Sequence, residues 1–129
     1  MDTGEWKILL VDDEVEFIST LIERLALRGI RAQAANSGEE ALVRIEEDPP
    51  QVVVLDKMMP GMGGTEVLRR IKRNRPEVQV IFLTGQGCTI EENERATLGA
   101  FDCLVKPFDL NELIGIMRSA VDAYHSAKK

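Results

Sequence analysis

Three carboxylates standing directly after apolar runs are the residues of this chain with the most chemistry to offer. Asp56 closes the run Val52-Val53-Val54-Leu55, and Asp12, Asp13 and Glu14 follow the run Lys7-Ile8-Leu9-Leu10-Val11. An uninterrupted apolar run reads as a strand covered on both faces of a parallel sheet, and side chains at the carboxyl ends of such strands point into the ligand crevice of open α/β sheets. Crowded carboxylates repel one another, and a hard divalent cation among them is the simplest way to keep them ionised. Mg²⁺ suits the set best, because it keeps several waters and leaves room for phosphate oxygens, whereas Ca²⁺ recruits more protein ligands than this site offers. Thr84 after the run 78–83 and Lys106 after the run 101–105 add a hydroxyl and an ammonium. A metal, a hydroxyl and an ammonium around one carboxylate form a receptor for a phosphoryl group being added to that carboxylate, since phosphoryl transfer is mostly positioning and charge stabilisation.

Bringing these groups together requires a particular order of elements. After the strand 7–11, Phe17, Ile18, Leu21, Ile22 and Leu25 recur at helical spacing up to Gly29, a helix terminator, and 30–34 makes a short strand. Ser37 with Glu40 fits a capping box for a second helix, with Gly38, Ala41, Leu42 and Ile45 on one face and Pro49-Pro50 as its stop. The Asp56 strand follows, then a turning loop marked by Pro60-Gly61 and Gly63-Gly64, with Met58, Met59 and Met62 packed beneath it. Gly64, Val67, Leu68 and Ile71 face inward on a third helix whose Arg69, Arg70, Lys72 and Arg73 form a solvated face, and Asn74 and Pro76 end it. The strand 78–83 runs into Thr84-Gly85-Gln86-Gly87. A fourth helix, 90–98, is poor in apolar residues and is the element expected to move. Gly99 precedes the fifth strand, 101–105. Asp109 with Glu112 caps a last helix that turns Leu110, Leu113, Ile114, Met117, Val121 and Tyr124 to the core.

Strict alternation of strand and helix predicts an α/β fold, a doubly wound five-stranded parallel sheet with five helices. Five strands suit the flavodoxin-like order 2-1-3-4-5, which sets the first and third strands side by side at the switch point. Asp12, Asp13 and Asp56 then converge.

The 129 residues predict one domain, with its core at about 6–124. A net charge of −6 argues against nucleic acid or an anionic membrane as a surface-wide partner. No stretch approaches the roughly 20 apolar residues of a membrane span, and the start MDTGEWK lacks the pattern of a secretion signal, so a cytoplasmic location is expected. Cys88 and Cys103 fit neither a zinc site nor a disulfide framework and are expected to be free thiols, with Cys103 a small core residue and a redox link between the two as the lesser alternative.

Asp12-Asp13, Asp56 with Met59-Pro60-Gly61-Met62, Thr84, and Lys106-Pro107-Phe108, in this order on one sheet edge, resemble the response-regulator receiver domain of two-component signalling. The resemblance covers essentially the whole chain. It implies that Asp56 accepts a phosphoryl group from the phosphohistidine of a histidine kinase or histidine phosphotransfer protein. Asp13 and Asp56 would hold Mg²⁺ directly, Asp12 largely through water, and the backbone carbonyl of Met58 would be the remaining protein ligand. Thr84 would hydrogen-bond the phosphoryl oxygen and Lys106 would neutralise it, with the Lys106–Pro107 peptide bond cis. Gly85 meets the need for a small residue beside the phosphoryl, and Met58 and Gln86 stand where hydrolysis of the acyl phosphate is tuned. The output would pass to a downstream effector or a dimer through the fourth helix, fifth strand and last helix. Cys103 departs from the pattern, because receivers usually carry Tyr or Phe there; rotation of an aromatic ring cannot be the readout, and the switch is expected to run through Thr84, the glycine-rich loop and the fourth helix.

Blander readings exist for each residue. Asp12 and Asp13 could cap the first helix, Thr84 could be an ordinary strand-end hydroxyl, and Lys106 could pair with a surface acid. His125, the only histidine, suits the helix dipole in the last turn. The rival functions are a receiver-like interaction module working without phosphorylation, a flavodoxin-like electron carrier, and a phosphohydrolase. VDDE would repel a flavin phosphate, and Met58 is not the second acid a hydrolase would want.

Overall fold

The structure, a computed structural model, describes residues 3–85 and 99–128. Five parallel strands, β1 (Ile8–Val11), β2 (Ala32–Ala35), β3 (Val52–Asp56), β4 (Gln79–Thr84) and β5 (Asp102–Val105), form one sheet in the order β2-β1-β3-β4-β5. The helices among the described residues are α1 (Val15–Ala26), α2 (Gly38–Glu47), α3 (Gly64–Asn74) and a C-terminal helix (Leu110–Lys128). The predicted helix at 90–98 lies outside the described residues, as does Gln86.

The apolar runs are uninterrupted because both sheet faces are covered. Ile8, Leu10, Val52, Val54, Ile81 and Leu83 pack with α1 and the C-terminal helix, while Leu9, Val11, Val53, Leu55, Val80 and Phe82 pack with α2 and α3. Each fully buried Val, Leu, Ile or Phe contributes about 1.5–3 kcal/mol relative to exposure, so the period-2 alternation of the strands fixes which residue serves which face.

Local chemistry sets the helix ends. Gly29, at φ 77°, ends α1 as predicted, with the Ile30 N–H reaching back to the Leu25 carbonyl at 3.0 Å. Ser37 Oγ accepts from Glu40 N at 3.1 Å, which is the first half of the predicted capping box. The reciprocal half is displaced by one residue, for Glu40 Oε1 takes the amide of Asn36 at 2.8 Å. Asp109 Oδ1 accepts from Asn111 N at 2.8 Å at the head of the C-terminal helix.

Three side chains differ from expectation. Met59 is buried beneath the loop, but Met58 is 70% exposed. Its amide turns to Asp56 Oδ1 at 3.1 Å and its side chain is left outside. Lys72 does not join the solvated face of α3: its Nζ donates to the carbonyls of Val78 (2.6 Å) and Pro76 (3.2 Å). Burial holds its pKa below the usual lysine range. Cys103 is disulfide-bonded, which corrects the free-thiol expectation. The only other cysteine, Cys88, lies outside the described residues.

Candidate phosphoacceptor site

Register assembles the acidic group. Val11 pairs with Leu55 across β1 and β3, so the next residues along each strand, Asp12 and Asp56, emerge side by side. Asp12 is fully buried and its amide is fixed on Ala35 O at 3.1 Å; Asp56 is 6% exposed, and the following amide, Lys57 N, is fixed on Leu83 O at 2.9 Å. Asp13 is exposed at the rim. Asp12, Asp13 and Asp56 each offer a carboxylate oxygen within 4.8 Å of the others.

Lys106 closes the group from the far edge. Its amide donates to Thr84 O at 2.7 Å, continuing the β4–β5 ladder, and its Nζ lies 2.8 Å from Asp12 Oδ2, 3.3 Å from Glu14 Oε1 and 3.9 Å from Asp56 Oδ2. The Lys106–Pro107 peptide bond is cis, as the resemblance implies. Thr84 ends β4 beside Val105 and is 4% exposed, one residue beyond the Asp56–Leu83 pair.

The electrostatics follow from this crowding. Burial is the largest influence on Asp56 and raises its pKa to about 6; the nearby Asp12 carboxylate adds to the rise, while the Met58 amide and the Lys106 ammonium oppose it. For Lys106 burial works downward, but the bond to Asp12 and the charges of Asp12, Asp56 and Glu14 outweigh it and raise the pKa. Among the described residues, three carboxylates, Asp12, Asp56 and Glu14, thus share the Lys106 ammonium, with Asp13 beside Asp12 and Asp56. The uncompensated negative charge and the all-oxygen donor set fit a hard divalent cation.

Sequence reasoning located the three acids, Thr84 and Lys106, and the fold brings them to one edge. It did not find the direct contacts that Glu14 and Phe17 make with Lys106. Glu14 stood in the acidic run, but Phe17 was legible only as a core position of α1. His125 lies apart, in the last turn of the C-terminal helix.

A doubly wound parallel sheet in the order β2-β1-β3-β4-β5, with an acidic cluster and a lysine at the ends of β1, β3 and β5, is a flavodoxin-like α/β protein. Residues 8–118 match the family described as the response regulator receiver domain, and the chain belongs to that family. Among curated proteins, the Transcriptional regulatory protein CpxR homolog of Haemophilus influenzae is 42% identical over 113 residues, covering 88% of this chain and 49% of the relative. The chain spans about half the length of the curated relatives it matches. Among solved structures, a response regulator receiver domain protein of Clostridium thermocellum aligns with a TM-score of 0.84 at 32% identity, covering 91% of this chain and 94% of that one. The receiver domain of the Francisella response regulator 1452 aligns with a TM-score of 0.80 at 30% identity, covering 97% and 100%.

Proposed function

We propose that this domain accepts a phosphoryl group on Asp56 from the phosphohistidine of a histidine kinase or histidine phosphotransfer protein, and that the acyl phosphate alters its contacts with an effector. The observation that carries this reading is the convergence of Asp12, Asp13 and Asp56 at the switch point between β1 and β3, with the Lys106 ammonium against Asp12 and Asp56. An Asp56 carboxylate oxygen attacks phosphorus and the P–N bond breaks; its electron pair stays on the ring nitrogen, so a phosphohistidine protonated at its other nitrogen leaves as neutral imidazole. Asp13 and Asp56 would hold Mg²⁺ directly, Asp12 through water, and Met58 would add its backbone carbonyl. When bound, the ion supplies positive charge to the phosphoryl oxygens and offsets the repulsion among the acids. Lys106 neutralises a further oxygen and the Thr84 hydroxyl donates to another. Gly85, next to Thr84, would leave room for the phosphoryl, and a Cβ built there meets nothing within 4 Å.

The domain works in the cytoplasm, where its donors would be, and no helix among the described residues is long and apolar enough to cross a membrane. Relatives named as transcriptional regulators favour control of transcription as the output, reached through an effector or dimer contact that uses β5 and the C-terminal helix, without nucleic acid touching this domain directly. Cys103, in place of the usual aromatic residue, favours Thr84 as the moving part.

The test is incubation with Mg²⁺ and acetyl phosphate, read by intact mass, beside samples with chelator or carrying Asp56→Asn. One added phosphoryl group, absent from both controls, is the expected result. No gain from acetyl phosphate or from a phosphorylated kinase would sink the reading in favour of an interaction module that works without phosphate.

A further inference from the structure

Carboxylates are not all that holds Lys106. Its Nζ lies 4.5 Å from the centroid of the Phe17 ring, on the first turn of α1. Phe17 is in turn packed edge to face against Phe108, with centroids 6.3 Å apart and ring planes at 88°. Phe108 follows Lys106-Pro107, so the segment that carries the ammonium also fixes the ring beneath it. The remaining neighbours of Nζ are Asp12 Oδ2, Glu14 Oε1 and Asp56 Oδ2.

These two kinds of contact act differently. A carboxylate holds an ammonium by accepting one of its three N–H bonds, and that donor is then spent. A ring face attracts the same charge through its quadrupole and consumes no donor. An ammonium that must pass from resting acceptors to a newly arrived phosphoryl oxygen needs the second kind of hold.

We propose that Phe17 is a positioning residue for phosphoryl transfer: its ring keeps the Lys106 ammonium at the carboxylate edge while the N–H donors turn from Asp12 and Glu14 to the phosphoryl oxygens. The role rests on the reading of Asp56 as acceptor. It distinguishes Phe17 from the purely apolar positions of α1, Ile18, Leu21 and Leu25, which are buried against the sheet.

The experiment compares wild type with Phe17→Leu, which keeps apolar bulk but removes the π face, and Phe17→Tyr, which keeps the face. The rate constant for phosphorylation by acetyl phosphate with Mg²⁺ is measured by intact mass. In the same proteins without donor, the proton shift of the Lys106 ε-methylene is read by NMR. Phe17→Leu should slow phosphorylation about threefold to tenfold, as loss of a partly desolvated cation–π contact implies. It should also abolish the upfield ring shift of the ε-methylene, whereas Phe17→Tyr keeps both within twofold of wild type. Phe17→Met carries the same expectation should the leucine variant not fold. A leucine or methionine variant that keeps pace with wild type, a tyrosine variant as slow as they are, or an ε-methylene shift indifferent to residue 17 each overturns the proposal. A phosphorylated wild type beside such a result overturns the role of Phe17 alone; a wild type that takes no phosphoryl overturns the acceptor reading and this role with it.

Discussion

Asp56 sits at odds with its own charge. Its folded pKa of about 6 stands above the unfolded value of 3.8, chiefly because it is buried. A carboxyl raised in this way binds a proton more tightly in the folded state, so its contribution favours folding at low pH and is lost as pH rises from about 4 through about 6. Without metal, the wild-type chain should therefore fall behind Asp56→Asn by on the order of 2–3 kcal/mol at pH 7.5, with little difference below pH 4. Urea denaturation of both proteins in chelator at several pH values checks this, and a gap that does not widen with pH contradicts it. Mg²⁺ at pH 7.5 should narrow the gap by stabilising wild type alone. Cys103 gives a second expectation at this scale: an alkylating reagent should leave it unmodified until a reductant is added, as read by peptide mass. The acids were legible because each ends an apolar run. The state of Cys103 was not, since nothing in its neighbours along the chain tells whether its thiol meets a partner in the fold.

The loop between β3 and α3 shows what two adjacent glycines can hide. A Cβ on Gly64 would meet the Asp56 carbonyl oxygen at 2.7 Å and the Lys57 Cα at 2.8 Å, both backbone atoms that cannot rotate away. On Gly63 the nearest atom is the Lys57 carbonyl oxygen at 4.0 Å, and its φ of −73° is ordinary. Gly64→Ala should thus push the helix off the acceptor strand, costing about 1–3 kcal/mol as overpacking does, and weaken Mg²⁺ binding in a titration followed by amide shifts. Gly63→Ala should leave both within error. Equal effects from the two would show that the close approach of α3 does not matter to the site. The sequence marked this stretch as a turn from Pro60-Gly61 and Gly63-Gly64, and correctly began α3 at Gly64. Only the packed structure separates the glycine that makes room from the one that does not. The outward Met58 and the inward Lys72 have the same cause: helical and loop periodicity assigns a face, but a nearby carbonyl or carboxylate can claim a single backbone or side-chain group from it.

Across the whole molecule the sheet divides two cores that share no side-chain layer. Ile18 belongs to the face under α1 and the C-terminal helix, and Ile71 to the face under α2 and α3. Ile18→Val and Ile71→Val should each cost about 0.5–1.5 kcal/mol, and the double variant their sum within about 0.5 kcal/mol, measured by urea denaturation. A clear excess over the sum would mean that the sheet transmits strain between its faces. Strand order and the meeting of the acids were legible from alternation alone, because uninterrupted apolar strands joined by helices leave few topologies open. The two edge strands bring a further consequence. β2 and β5 have four residues each, roughly 13 Å of ladder, and β2 reads Ala-Gln-Ala-Ala. The strands with the greatest tendency to stack into fibrils, Val52–Asp56 and Gln79–Thr84, lie inside them. Clumping of this protein in storage should then begin with unfolding and not with native sheets adding edge to edge. Its shelf life should lengthen with whatever slows unfolding, Mg²⁺ included.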